Sequence, residues 1–91
     1  MRDDLLNTDS LRIGKPTPWN DGSGRISFCI QFRDWFQRHV EFDRQMRYWL
    51  GANTSKWTLM YDFDQGNPFW TAVIQEEDQT IFILRFGKAI W

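Results

Sequence analysis

Between Asp34 and Gly51 the chain reads DWFQRHVEFDRQMRYWLG, and no other stretch restricts the possible folds so strongly. Advanced by about 100° per residue, its apolar side chains gather on one arc. Trp49, Phe42, Trp35, Met46, His39, Leu50, Phe36 and Val40 follow one another around it, while Arg44, Gln37, Glu41, Gln45 and Arg38 fill the other side with Tyr48 among them. Such spacing predicts an amphipathic helix over residues 35–50. Its ends carry matching signals. Asp34 can cap the first turn with Gln37 completing a capping box, Arg47 sits where the helix dipole favours a cation, and Gly51 is placed for a left-handed residue just past the end. A helix of this kind needs a second layer against which to bury its arc.

The rest of the chain supplies that layer by alternation. RISFCIQF (25–32) sets Ile26, Phe28, Ile30 and Phe32 against Ser27, Cys29 and Gln31, the period of a half-buried strand. Residues 56–63 alternate again, with Trp57, Leu59, Tyr61 and Phe63 on one face and Thr58, Met60 and Asp62 on the other. Asp64-Gln65-Gly66-Asn67-Pro68 reads as a five-residue hairpin loop, and Phe69 to Gln75 as the returning strand. Glu76-Glu77-Asp78 then forms an acidic turn, and TIFILRF (80–86) reads as a closing strand ended by Gly87. The expected fold is therefore α+β: two layers in the order β-α-β-β-β, with one amphipathic helix packed on an antiparallel sheet. Residues 25–91 form this domain. Residues 1–24, broken by Gly14, Pro16, Pro18 and the run Asn20 to Gly24, read as an N-terminal arm and loop with a turn near Leu5 and an extended piece near Leu11.

Composition narrows function by exclusion. Eleven basic against twelve acidic residues argue against a polyanion held chiefly by charge. A single Cys excludes an intrachain disulfide and fits a reducing compartment. No apolar run approaches the roughly 20 residues of a membrane span, and MRDDLLNTDS lacks the apolar core of a signal peptide, so the cytoplasm is the expected compartment. One His, one Cys and scattered carboxylates offer no metal-ligand spacing, and no phosphate-binding glycine loop opens a helix, so no cofactor, metal or small-molecule substrate is expected.

The closing segment EEDQTIFILRFG (76–87) resembles the end of many small tailed-phage proteins, which finish on an acidic turn and a strand of the form Phe-x-Leu-Arg-aromatic-Gly. The resemblance spans at most the last 36 residues of the chain. It implies a phage-like origin, hence the host cytoplasm, and transfers no functional residue.

Two side-chain constellations stand out. His39, Asp43 and Arg47 recur every fourth residue and line up along the helix as a polar ladder. Catalysis would need Asp43 to orient His39 as a base toward Cys29 or Ser27, yet both of those belong to the sheet face away from the helix. An ion-paired ladder at the core edge is the simpler reading, and an enzyme is not expected. The second constellation is apolar. With 6 Trp and 8 Phe in 91 residues, some large rings must stay exposed. Met60, Ile81 and Ile83 are expected on the uncovered sheet face, with Trp91 as a terminal anchor. These four residues form the expected interface of a protein-protein interaction module or homo-oligomer, because such interfaces favour aromatic residues, Met and Arg. The alternative is a single-stranded nucleic-acid binder stacking bases on exposed rings, helped by Arg33, Arg38, Arg44 and Arg47.

Overall fold

The computed structural model describes residues 5–19, 22–33 and 38–90. Their elements are β1 (Leu11–Ile13), β2 (Thr17–Pro18), β3 (Arg25–Phe32), α1 (His39–Asn53), β4 (Trp57–Asp64), β5 (Asn67–Gln75) and α2 (Gln79–Phe86). Single 3-10 turns occupy Thr8–Ser10, Glu76–Asp78 and Gly87–Ala89. The fold is α+β, as the alternation and the helical arc require. All strand pairings are antiparallel, in the order β1-β3-β5-β4, and β2 pairs with the same side of β3 farther along.

Both helices lie on one face of the sheet. Ile26, Phe28 and Ile30 of β3, Trp70, Ala72 and Ile74 of β5 and Leu59 of β4 meet Phe42, Met46 and Leu50 of α1 and Phe82 and Phe86 of α2. Rings join the layers: Phe28 stacks on Phe82 at 4.1 Å, Phe42 meets Trp70 at 4.6 Å, and Trp49 meets Phe86 at 4.9 Å between their centroids. The other face carries Ser27, Cys29, Thr71, Thr58, Met60, Phe69 and Val73, by alternation and register. Val73 is nevertheless fully buried there, between its cross-strand neighbours Ser27 and Thr58.

The largest departure from expectation is the closing segment. Gln79–Phe86 is a helix, so the order of elements is not β-α-β-β-β. A short apolar run fits either period, and tertiary packing decides between them. Phe82 and Phe86, four apart, are fully buried, whereas Leu84, which alternation would place beside them, is 80% exposed. Three acidic residues precede the helix and Arg85 lies in its last turn, a charge order that suits the helix dipole.

Smaller departures have local causes. The hairpin loop is two residues, not five. Gln65 at φ 52° and Gly66 at φ 81° supply the paired left-handed conformations whose twist matches the strands, so pairing continues to Asp64↔Asn67. Pro68 is tolerated because β3 pairs with β5 only as far as Trp70, leaving no ladder bond for the missing N–H. Gly51 is helical and not a left-handed stop. The helix runs on to Asn53, where Thr54 N–H and Thr54 Oγ1 both donate to Leu50 O at 2.9 and 2.6 Å. The expected cap at Asp34 and Gln37, with Trp35 and Phe36, lies outside the described residues.

The N-terminal segment belongs to the core. Leu11↔Phe32 and Ile13↔Ile30 place Leu11 and Ile13 on the helix side, both fully buried, and Leu6 joins them. Ile13 also bridges Ile90, which ties the two ends of the described chain together.

Candidate functional site

The β4–β5 hairpin continues beyond the part of α1 that covers it. Tyr61 and Phe63 sit on the core-facing side of β4, by alternation from Leu59, yet they are 39% and 55% exposed. With His39, at the start of α1, they form an aromatic ledge. The ring centroids of Tyr61 and Phe63 lie 5.2 Å apart, those of His39 and Tyr61 5.8 Å, and those of His39 and Phe63 6.5 Å. Tyr61 OH and His39 Nδ1 are 3.3 Å apart, within hydrogen-bonding distance. Desolvation pushes the Tyr61 hydroxyl pKa up. Beside the ledge is an open cleft of about 190 Å³ lined by His39, Val40, Asp43, Tyr61 and Trp70.

The polar ladder is only partly the one its spacing implies. Asp43 Oδ1 accepts from Arg47 Nε at 2.5 Å, and Asp43 Oδ2 accepts from the indole Nε1–H of Trp70 at 3.2 Å. The second bond explains why an acid interrupts the apolar arc. Trp70 is fully buried, and its N–H needs an acceptor inside the protein. Arg47 goes on to donate from Nη2 to Leu59 O at 2.9 Å, its guanidinium 5.9 Å from the Trp57 ring. Asp43 and Arg47 therefore tie the helix to the sheet, while His39 turns toward Tyr61.

Cys29 and Ser27 point away from His39, on the opposite face of the sheet. Ser27 Oγ shares a hydrogen bond of 2.9 Å with Thr17 Oγ1, and partial burial pushes the Cys29 thiol pKa up, away from the reactive thiolate. Asp78 of the acidic turn holds the chain together locally. Its Oδ2 accepts from Ser55 N–H and Ser55 Oγ, both at 3.1 Å, which fixes the loop after α1. Among the described residues no three His, Cys, Asp or Glu side chains converge as a metal site would require.

The expected interface residues are not on one sheet face. Met60 is on β4, on the face opposite the ledge, whereas Ile81 and Ile83 flank the buried stripe of α2. Their common face depended on reading residues 80–86 as a strand, and the helix removes that premise. Trp91 lies outside the described residues. The ledge itself was partly legible, since alternation already grouped Tyr61 with Phe63. What the sequence lacked was the end of the covering helix. Of the arginines, Arg44 pairs with Glu41 at 3.4 Å, Arg47 with Asp43, and Arg33 Nε donates to Leu11 O at 3.3 Å.

No helix among the described residues is long and apolar enough to cross a membrane. No protein-family model, curated protein or solved structure matches the chain.

Proposed function

We propose that the protein is a non-enzymatic protein-protein interaction module that receives its partner on the aromatic ledge of His39, Tyr61 and Phe63. A cytoplasmic setting and a phage-like origin belong to the same proposal. The observation that carries it is the exposure of Phe63, on the side of β4 that elsewhere faces the core. Fully burying a Phe side chain is worth about 1.5–3 kcal/mol, and Phe63 has roughly half of that still to gain. Clustered exposed rings are also the residue type on which interfaces concentrate their binding energy.

Single-stranded nucleic acid is the competing ligand, because bases can stack on the same rings. The arginines favour it less: Arg44 and Arg47 already pair with carboxylates on their own helix, and Asp62 and Asp64 flank Phe63.

Phe63→Asp provides the test, since its side chain is outside the core and the fold should survive. A partner should co-purify with the wild-type chain and be lost from the variant, with circular dichroism unchanged. Association that is indifferent to Phe63→Asp would remove the ledge from the interface. Quenching of Trp fluorescence by an oligonucleotide, weakening steeply with salt, would transfer the assignment to nucleic acid.

A further inference from the structure

We propose that Arg47 and Asp62 guard the free edge of β4 against pairing with the same strand of a second copy. The inference is independent of the ledge reading. β4 ends the sheet, so one side of its backbone has no neighbouring strand among the described residues. Asp64 and Asn67 close the two-residue turn, which makes them a hydrogen-bonded pair, and peptide groups alternate from there. Asp62, Met60 and Thr58 therefore bond to β5. The N–H and C=O of Phe63, Tyr61, Leu59 and Trp57 point outward along the edge. An open edge of this kind is a template for strand addition.

Two of these outward groups are already engaged by side chains. Leu59 O accepts from Arg47 Nη2 at 2.9 Å, and Phe63 N–H donates to Asp62 Oδ1 at 2.8 Å. Their positions match one particular dimer. An antiparallel pairing of β4 with itself about a two-fold axis at Tyr61 sets Tyr61 opposite Tyr61 and Phe63 opposite Leu59. In that register Phe63 N–H of each copy donates to Leu59 O of the other. The guarded donor and the guarded acceptor are thus each other's partners across the axis. Tyr61, at the centre, keeps its N–H and C=O outward, and no hydrogen bond to either occurs among the described residues.

The guard is anchored on both sides. Arg47 is held by Asp43, itself tied to Trp70, so the guanidinium is positioned by the core. Asp62 reaches the edge from the opposite face of the sheet and brings a carboxylate that a second strand would have to displace. Dimerisation in this register would also bring the exposed Tyr61 and Phe63 rings against apolar neighbours, so the apolar surface favours the pairing that the two polar side chains oppose.

The test is a double variant, Arg47→Met with Asp62→Ala, which keeps the aliphatic stem on α1 and removes both blocking groups. Two measurements are made over a range of concentrations: sedimentation mass and the exchange rate of the Tyr61 amide. The wild-type amide should exchange quickly at every concentration. In the double variant the mass should double, and Tyr61 exchange should slow by about tenfold or more as concentration rises. A folded, monomeric double variant with a fast-exchanging Tyr61 amide overturns the proposal, as does a wild-type Tyr61 amide already protected in a concentration-dependent way. Asp62→Ala alone, at an exposed position outside the core, gives the same readout if loss of Arg47 unfolds the chain: partial, concentration-dependent protection of Tyr61 supports the guard, and none overturns it. The two proposals are told apart by the protein each one reads: a ledge-bound partner is scored by co-purification with the wild-type chain, whereas the guarded edge is scored by self-association of the double variant.

Discussion

Replacing Phe82 and Leu84 separately by Ala tests the assignment of the closing segment as a helix. Phe82 is fully buried, stacked on Phe28 at 4.1 Å and packed against Phe86 at 4.8 Å and Trp49 at 5.9 Å. Removing a ring from such a place forfeits transfer free energy and leaves a cavity, together about 3–5 kcal/mol. Leu84 is 80% exposed, and its truncation should stay within about 0.5 kcal/mol. The total stability expected for a chain of this length is about 5–14 kcal/mol, so the first substitution removes a large share of it. Urea unfolding monitored by Trp fluorescence should show this directly. With a slope of about 1.5 kcal/mol/M, Phe82→Ala shifts the midpoint down by about 2–3 M and Leu84→Ala hardly at all. If Phe82→Ala does not fold, Phe82→Leu gives a smaller, measurable loss. A strand would put Phe82, Leu84 and Phe86 on one face, and both truncations would then cost several kcal/mol. A loss above about 2 kcal/mol for Leu84→Ala would refute the helical packing argument.

Substitutions at two further positions probe a polar joint and a turn. Asp43→Ala should cost about 1–3 kcal/mol because it strands the buried Trp70 indole N–H, whereas Asp43→Asn, which retains an acceptor, should cost about 1 kcal/mol or less; equal losses in thermal unfolding would show that the Trp70 bond contributes nothing. Gln65→Asn should raise stability by about 0.5–1 kcal/mol, since Gln65 holds φ 52° in the turn and Asn tolerates that region better; an unchanged or lower melting temperature would argue against the left-handed turn.

Several elements are written in the sequence because their signals are local and periodic. The arc Phe42, Met46 and Leu50 specifies α1 and its buried side, and the alternation of Ile26, Phe28 and Ile30 specifies β3, whatever they pack against. Together these two periods are enough to fix the α+β class. The Asp43–Arg47 pair follows in the same way from spacing on one helix. Other features depend on contacts between residues far apart in the chain. TIFILRF carries apolar residues at both periods, and it is a helix because Phe28 and Trp49 offer a site that receives Phe82 and Phe86 four residues apart. The second acceptor role of Asp43 could not be read from its helix, because the indole it serves arrives from β5, 27 residues away. The N-terminal segment reads as an arm because its apolar residues are few, yet Leu11 and Ile13 are fully buried once β3 gives them a register. The ledge is likewise a tertiary feature. Alternation names Tyr61 and Phe63 as core-facing, and only the relative reach of hairpin and helix leaves them in water. Local periodicity fixes what each segment prefers; burial against distant partners decides which preference the chain adopts and which side chains stay exposed.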